Sequence, residues 1–232
     1  MLEVTVESVS HFHDLASSFP STHPLYRGVK KSTYELIPKF GRSILANAEL
    51  REALPDYDYV VDRAKEASVL EEFIRIGGPH LGRLPANMWE WLALAQHHGL
   101  PTRLLDWTEN PLVALFFACP FGNSSDAAIY VIEDRKVLDR VSRGGSPFEI
   151  DEVVLSYPQH TTPRITAQSG LFTAHPQPET VFECEGIHKW NISKDLAFGL
   201  RSLLKLYGMS HASMFPGLDG ISSSLIESYG LS

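Results

Sequence analysis

Arg103 and Asp106 stand out first, because both charges sit in an otherwise apolar run with Leu100, Leu104, Leu105, Trp107 and Leu112. A buried ion costs several kcal/mol unless it is paired. Two such residues either neutralise each other or mark a site, and the sequence alone leaves both readings open. Arg27 poses the same question at the centre of the short apolar segment Leu25, Tyr26, Gly28 and Val29. His97 and His98 adjoin the run at what reads as a helix end. Imidazoles there gain from the negative helix terminus, so one caps the helix, and the other is left to line a pocket as a polar or acid–base group. Glu183 and Glu185 form a Glu-x-Glu pair in FECE, on one face if that segment is a strand; the competing reading makes both plain surface residues. Trp107, Tyr130 and Phe172 are rings able to stack on a base or other flat ring, or else to fill the core.

Other chemistries are excluded by what the chain lacks. His11, His13, His97 and His98 have no carboxylate or thiolate partners at zinc spacing, so no metal is expected. Cys119 and Cys184 are too few for a secreted disulfide framework. There is no phosphate-binding Walker loop, no Gly-x-Gly-x-x-Gly, no Gly-x-Ser-x-Gly elbow and no His-Glu-x-x-His. The formal net charge of −8 argues against general coating of nucleic acid, though not against a local basic groove. The acidic start MLEVTVESVSHFHDL does not read as a signal peptide, and no stretch of 18 apolar residues occurs. A cytoplasmic protein with no membrane partner is expected.

The elements that must position these residues follow from periodicity. Segments 2–6, 25–29 and 127–133 read as strands, with further strand candidates at 153–157, 164–168, 171–174 and 189–192. Helical spacing predicts helices near 11–19 and over 62–77, 86–98 and 194–207, the last capped by Ser193, with a short one near 219–228. A short strand carries Arg103, Asp106 and Trp107, and a helix that is apolar all round begins at Pro111, capped by Thr108 or Asn110. Tyr34 to Arg42 is predicted to be irregular, its Pro and Gly arguing against a long helix, and 134–150 reads as polar surface. The 232 residues and 44% hydrophobic content suit one α+β domain spanning the chain.

These segments also carry a resemblance. LYRG at 25–28, LIPKFGR at 36–42, QHHGLPTRLLDWTENPLVALFFA at 96–118, RITAQSGLF at 164–172 and MFPGLDGI at 214–221 resemble, in that order, the FRG domain over roughly residues 20–225. Tyr26 stands where the family's name-giving triplet has Phe. The aromatic-Arg-Gly of Tyr26, Arg27 and Gly28 is also similar to the first motif of arginine-type ADP-ribosyltransferases, whose arginine on a split sheet holds the phosphates and ribose of NAD.

The resemblance implies a single domain with a split antiparallel or mixed sheet and flanking helices. It implies NAD as cofactor, with Arg27, Thr108 and Gln168 in the catalytic positions and Tyr26, Arg27, Gly28, Arg103, Asp106 and His98 around the cofactor. Gln168 stands where such enzymes usually carry a glutamate that stabilises the charged ribose, and a neutral amide cannot supply that charge; Glu183 or Glu185 are the available substitutes. FRG proteins look like parts of toxin or phage-defence systems. A macromolecular target (RNA, DNA or protein) and an antitoxin or other partner protein are therefore expected. The alternative is a regulatory module that binds a nucleotide or a partner and transfers nothing.

Overall fold

Every residue of β4 (Ala127–Ile132) is buried. A strand with no exposed side chain needs neighbours on both edges and cover on both faces, and β4 has them. The computed structural model describes residues 1–232 apart from 20, 21, 55, 58, 141–144, 159–166 and 232. Around β4 run β1 (Leu2–Val6), β2 (Leu25–Val29), β3 (Leu104–Thr108), β5 (Asp139–Arg140), β6 (Val154–Ser156), β7 (Gly170–Ala174) and β8 (Ile187–Ile192). They form one eight-stranded sheet in the order β1-β8-β4-β2-β3-β7-β6-β5. The β1–β8 and β5–β6 pairs are parallel and the others antiparallel, so the sheet is mixed and the fold is α+β.

The sheet is held unevenly at its centre. β2 pairs with β4 from Leu25 to Val29, and β3 pairs with β7 from Leu104 to Thr108. Between β2 and β3 the register contains only Tyr26 opposite Thr108. Two four-stranded halves thus meet at one residue pair and splay apart beyond it.

Helices cover each half separately. α1 (Val9–Ala16), α5 (Pro111–Ala118) and α6 (Lys194–Leu206) pack Phe12, Val113, Leu115 and Leu200 against Tyr26, Ile129 and Trp190. α3 (Arg63–Gly77) and α4 (Met88–His97) pack Leu70, Trp91 and Leu92 against Leu104, Phe172 and Ala174 of the other half. Tyr26 is opposite Thr108, and Thr108 alternates with Asp106 and Leu104, so α5 and α4 cover the same face on either side of the split. The opposite face is filled by Leu25, Trp107, Tyr130 and Ile132 with Leu36 and Phe182. Short helices α7 (His211–Met214) and α8 (Leu218–Tyr229) close the chain.

Helix starts follow the expected chemistry. Asp62, Asn87, Asn110 and Ser193 each accept a backbone N–H two or three residues ahead, which satisfies groups the helix leaves unpaired. Of the two candidates at α5 it is Asn110 that caps.

Two expectations are corrected. The segment predicted to be irregular contains the start of α2 (Lys39–Ala53). Pro38 precedes this helix, where a missing N–H is harmless. Gly41 is tolerated inside it because a Cβ there would lie 1.7 Å from the Pro178 carbonyl oxygen. The strand predicted over 164–168 lies outside the described residues for 164–166, while Ala167 and Gln168 are helical. Ser169, at φ 44°, then turns the chain into β7.

Candidate ligand cleft at the sheet split

Where β2 and β3 part, their backbone groups lose strand partners and need others. Arg27 supplies one: its Nη1 donates to the Asp106 carbonyl oxygen at 2.8 Å and lies 3.4 Å from Asp106 Oδ2. The guanidinium thus spans the gap between the two half-sheets. Gly28 follows because α5 sits directly on β2; a Cβ at that position would be 1.8 Å from the Ala114 carbonyl oxygen. Tyr26 is buried beneath the same helix, and burial pushes its phenol up to about 12.

The opposing wall is Thr108 and Gln168. The Thr108 hydroxyl donates to the Gln168 carbonyl at 2.8 Å and accepts from the Asn110 N–H at 3.1 Å. Gln168 Nε2 donates to the Met214 carbonyl at 3.0 Å, so the C-terminal end of α7 holds that amide in place. Arg27, Thr108 and Gln168 therefore border one cleft, together with Tyr26, Gly28 and Asp106. Its volume is about 330 Å³.

Arg103 does not border this cleft. It immediately precedes β3, and its partner is Glu66 of α3 rather than Asp106. Glu66 accepts the Arg103 backbone N–H at 2.6 Å and Nε at 2.8 Å, with both side chains buried. Burial raises the Glu66 carboxyl and Arg103 pulls it back, the balance being upward. Arg103 also donates to the Pro147 carbonyl at 3.2 Å and lies 4.9 Å from the Phe148 ring centre. Its guanidinium is tied up in joining α3 to the sheet.

The two histidines divide their roles the other way round from the expected assignment. His98 is the exposed C-cap of α4, and His97 is the one that borders the cleft. Glu183 and Glu185 are exposed, lie off the strands and do not line the cleft, so neither stands beside Gln168 as the expectation had it. Of the three candidate stacking rings, Tyr130 donates its hydroxyl to the Tyr34 carbonyl at 2.7 Å in the core of the far face. Trp107 is largely core as well, its indole N–H donating to the Thr173 hydroxyl at 2.9 Å, though it also borders the cleft. Phe172 borders the cleft on the α4 side, as does Phe117 from α5.

Lys39, Arg42 and Gln96 also border the cleft, though the sequence did not single them out. Lys39 Nζ donates to the Gly99 carbonyl at 2.7 Å, and Arg42 donates to the Ile37 carbonyl. Gln96 Nε2 donates to Asp106 Oδ1 at 2.9 Å, while its own Oε1 accepts from the Thr102 hydroxyl. The spacing of Lys39 and Arg42 on one helix face was the available signal, hidden by reading that stretch as irregular. Asp106 is the only carboxylate among the described residues that line the cleft. No group of three or more His, Cys, Asp or Glu able to hold a metal occurs among the described residues. No helix there is long and apolar enough to cross a membrane.

No curated protein and no solved structure matches the chain. A family model does match, over residues 22–127, a span running from just before β2 to the first residue of β4. It takes in Arg27, Lys39, Arg42, Gln96, Asp106 and Thr108, and leaves Gln168 and the segment 214–221 beyond its end. That model is of the FRG domain, and the likeness it shows is confined to residues 22–127.

Proposed function

We propose that the cleft binds a nucleotide of the NAD type, with Arg27 contacting the phosphates and Thr108 and Gln168 bordering the ribose and base. The observation that carries this reading is the convergence of Arg27, Thr108 and Gln168, from far-apart segments, on one cleft at the sheet split. The residues fit such a ligand. Arg27 keeps donors beyond the one nitrogen engaged with Asp106, and a planar guanidinium matches a pyrophosphate through paired hydrogen bonds. Phe117 and Phe172 offer apolar cover for a ring. A volume of about 330 Å³ is near the lower end of the ~300–1,000 Å³ usual for ligand pockets, which suits one nucleoside half enclosed and the rest at the rim.

Glycosyl transfer to a macromolecule, in a toxin or phage-defence setting, is the extension that the likeness to ADP-ribosyltransferases suggests. NAD brings a glycosidic bond whose cleavage develops positive charge on the ribose. Asp106 is the residue of this cleft able to offset such a charge, and it is already bonded to Arg27 and Gln96. That engagement favours the second reading, a module that binds the nucleotide and transfers nothing.

Incubation with NAD labelled in the nicotinamide separates the readings. Retention of label on the protein with no free nicotinamide supports binding alone. Release that disappears in Asp106→Asn, with binding kept, supports cleavage of the glycosidic bond, and a second label in the adenosine half then shows whether the ADP-ribosyl group passes to a macromolecule or to water. Absence of both binding and release removes the NAD reading.

A further inference from the structure

We propose that Lys39 and Arg42, at the start of α2, form with Arg27 an anion subsite that takes the pyrophosphate of a nucleotide. The inference rests on the reading of the cleft as a nucleotide site and adds the wall that holds the phosphates. Lys39 and Arg42 are three residues apart, so both project from one side of the helix into the cleft.

Their position runs against the ordinary electrostatics of a helix. The first turn carries the positive end of the macrodipole and favours acidic residues. α2 has no acidic residue in its first turn, and its N-cap Pro38 offers no side-chain cap. Two cations stand there instead. Facing them from β2 is Arg27, whose charge acts on Arg42 in the direction of repulsion; burial and then Arg27 lower the Arg42 guanidinium, with Tyr34 and then Asp106 opposing.

The partners on hand do not cancel these charges. Lys39 and Arg42 donate to the neutral carbonyls of Gly99 and Ile37. Neither makes an ion pair with a carboxylate among the described residues. Asp106, the one cleft carboxylate among them, is paired with Arg27 and is mostly exposed. Three cations against one carboxylate leave an excess of two positive charges, within a chain whose formal net charge is −8. A bound group with two or more negative charges would relieve the repulsion, complement the helix end and bridge β2 to α2. A pyrophosphate meets that requirement better than a singly esterified phosphate, because its charge is spread over two centres facing two walls.

The probes are inorganic pyrophosphate, inorganic phosphate and NAD, titrated calorimetrically into the wild-type chain, Lys39→Gln, Arg42→Gln and the control Arg51→Gln. Arg51 is exposed on the last turn of the same helix. The expected result is that pyrophosphate binds more tightly than phosphate and that each cleft variant weakens it about tenfold or more, the size of one lost charge-assisted bond. Arg51→Gln should bind as the wild type does. Melting temperatures without ligand should be unchanged or raised in the cleft variants, because each removes a repelling charge. Pyrophosphate that fails to bind, or binds equally to all four chains, overturns the subsite. So does a fall in melting temperature with affinity unchanged, which marks a structural role. If Arg42→Gln does not fold, Lys39→Gln carries the test. NAD binding that is indifferent to both variants rejects the subsite and keeps the nucleotide reading. Pyrophosphate binding that needs both residues, with NAD not bound, does the reverse.

Discussion

At the scale of single residues, the charges of the central run serve two different ends. Arg103 and Glu66 are a buried ion pair with several hydrogen bonds, whereas Asp106 lies at an open rim with Arg27 and Gln96. Breaking a buried pair leaves a charge without compensation, so Glu66→Ala should lower unfolding free energy by about 3–5 kcal/mol. Asp106→Ala should change it by under about 1 kcal/mol, as exposed pairs do. Urea denaturation of both variants tests the contrast, and similar losses would contradict it. The apolar setting of Arg103 pointed to a partner, but the partner is 37 residues earlier in the chain. A sequence displays local spacing and does not display which helix packs on which strand, so Glu66 could not be chosen over Asp106. The two histidines show the same limit, because a rotation of one residue at a helix end exchanges the capping and cleft-facing positions.

At the scale of elements, the cleft exists because β2 and β3 share one pair and because α5 presses onto β2 beside it. Gly28 makes that contact possible. Gly28→Ala should cost about 3 kcal/mol or more through overpacking, or prevent soluble expression, since the obstructing atom is backbone and cannot swing aside. A melting temperature within a few degrees of wild type would show that α5 can lift, and the tight packing at the split would then be in doubt. Most of these elements were legible: the fully buried β4, the amphipathic α3 and α6, and the start of α5 at Pro111 follow from periodicity and capping. α2 was not. Proline and glycine in PKFG read as breakers, yet Pro38 sits before the first turn and Gly41 is required by the approach of Pro178. Missing that helix also hid Lys39 and Arg42 as a pair, so the site was legible on its β2 and β3 walls and not on its α2 wall.

At the scale of the whole molecule, His175 and Glu227 both make the fold more sensitive to acid. Burial lowers His175 from its usual range to about 3, with Arg27 and Arg103 acting in the same sense, and Thr173 is 2.8 Å from its Nε2. The unfolded chain therefore takes up a proton that the folded chain refuses. This contribution is whole above pH about 6.5 and is lost progressively as pH falls towards 3. Glu227 adds a second window. Burial pushes its carboxyl up, but Arg201 and Lys205 outweigh that and bring it down to about 2, so its stabilisation fades as pH drops below about 4.5. Unfolding free energy should accordingly fall from near neutrality and fall more steeply in the acid range. A flat profile between pH 7 and 5 would contradict the buried neutral state of His175. The central claim concerns the cleft, and calorimetric titration of NAD into wild-type and Arg27→Ala protein addresses it most directly, with folding of the variant checked by its melting transition. The expected result is saturable binding at one site per chain that is lost, or weakened at least about tenfold, when the guanidinium is removed. Absence of binding to the wild type, or equal binding to a folded Arg27→Ala protein, would show that the split between β2 and β3 is not a nucleotide site.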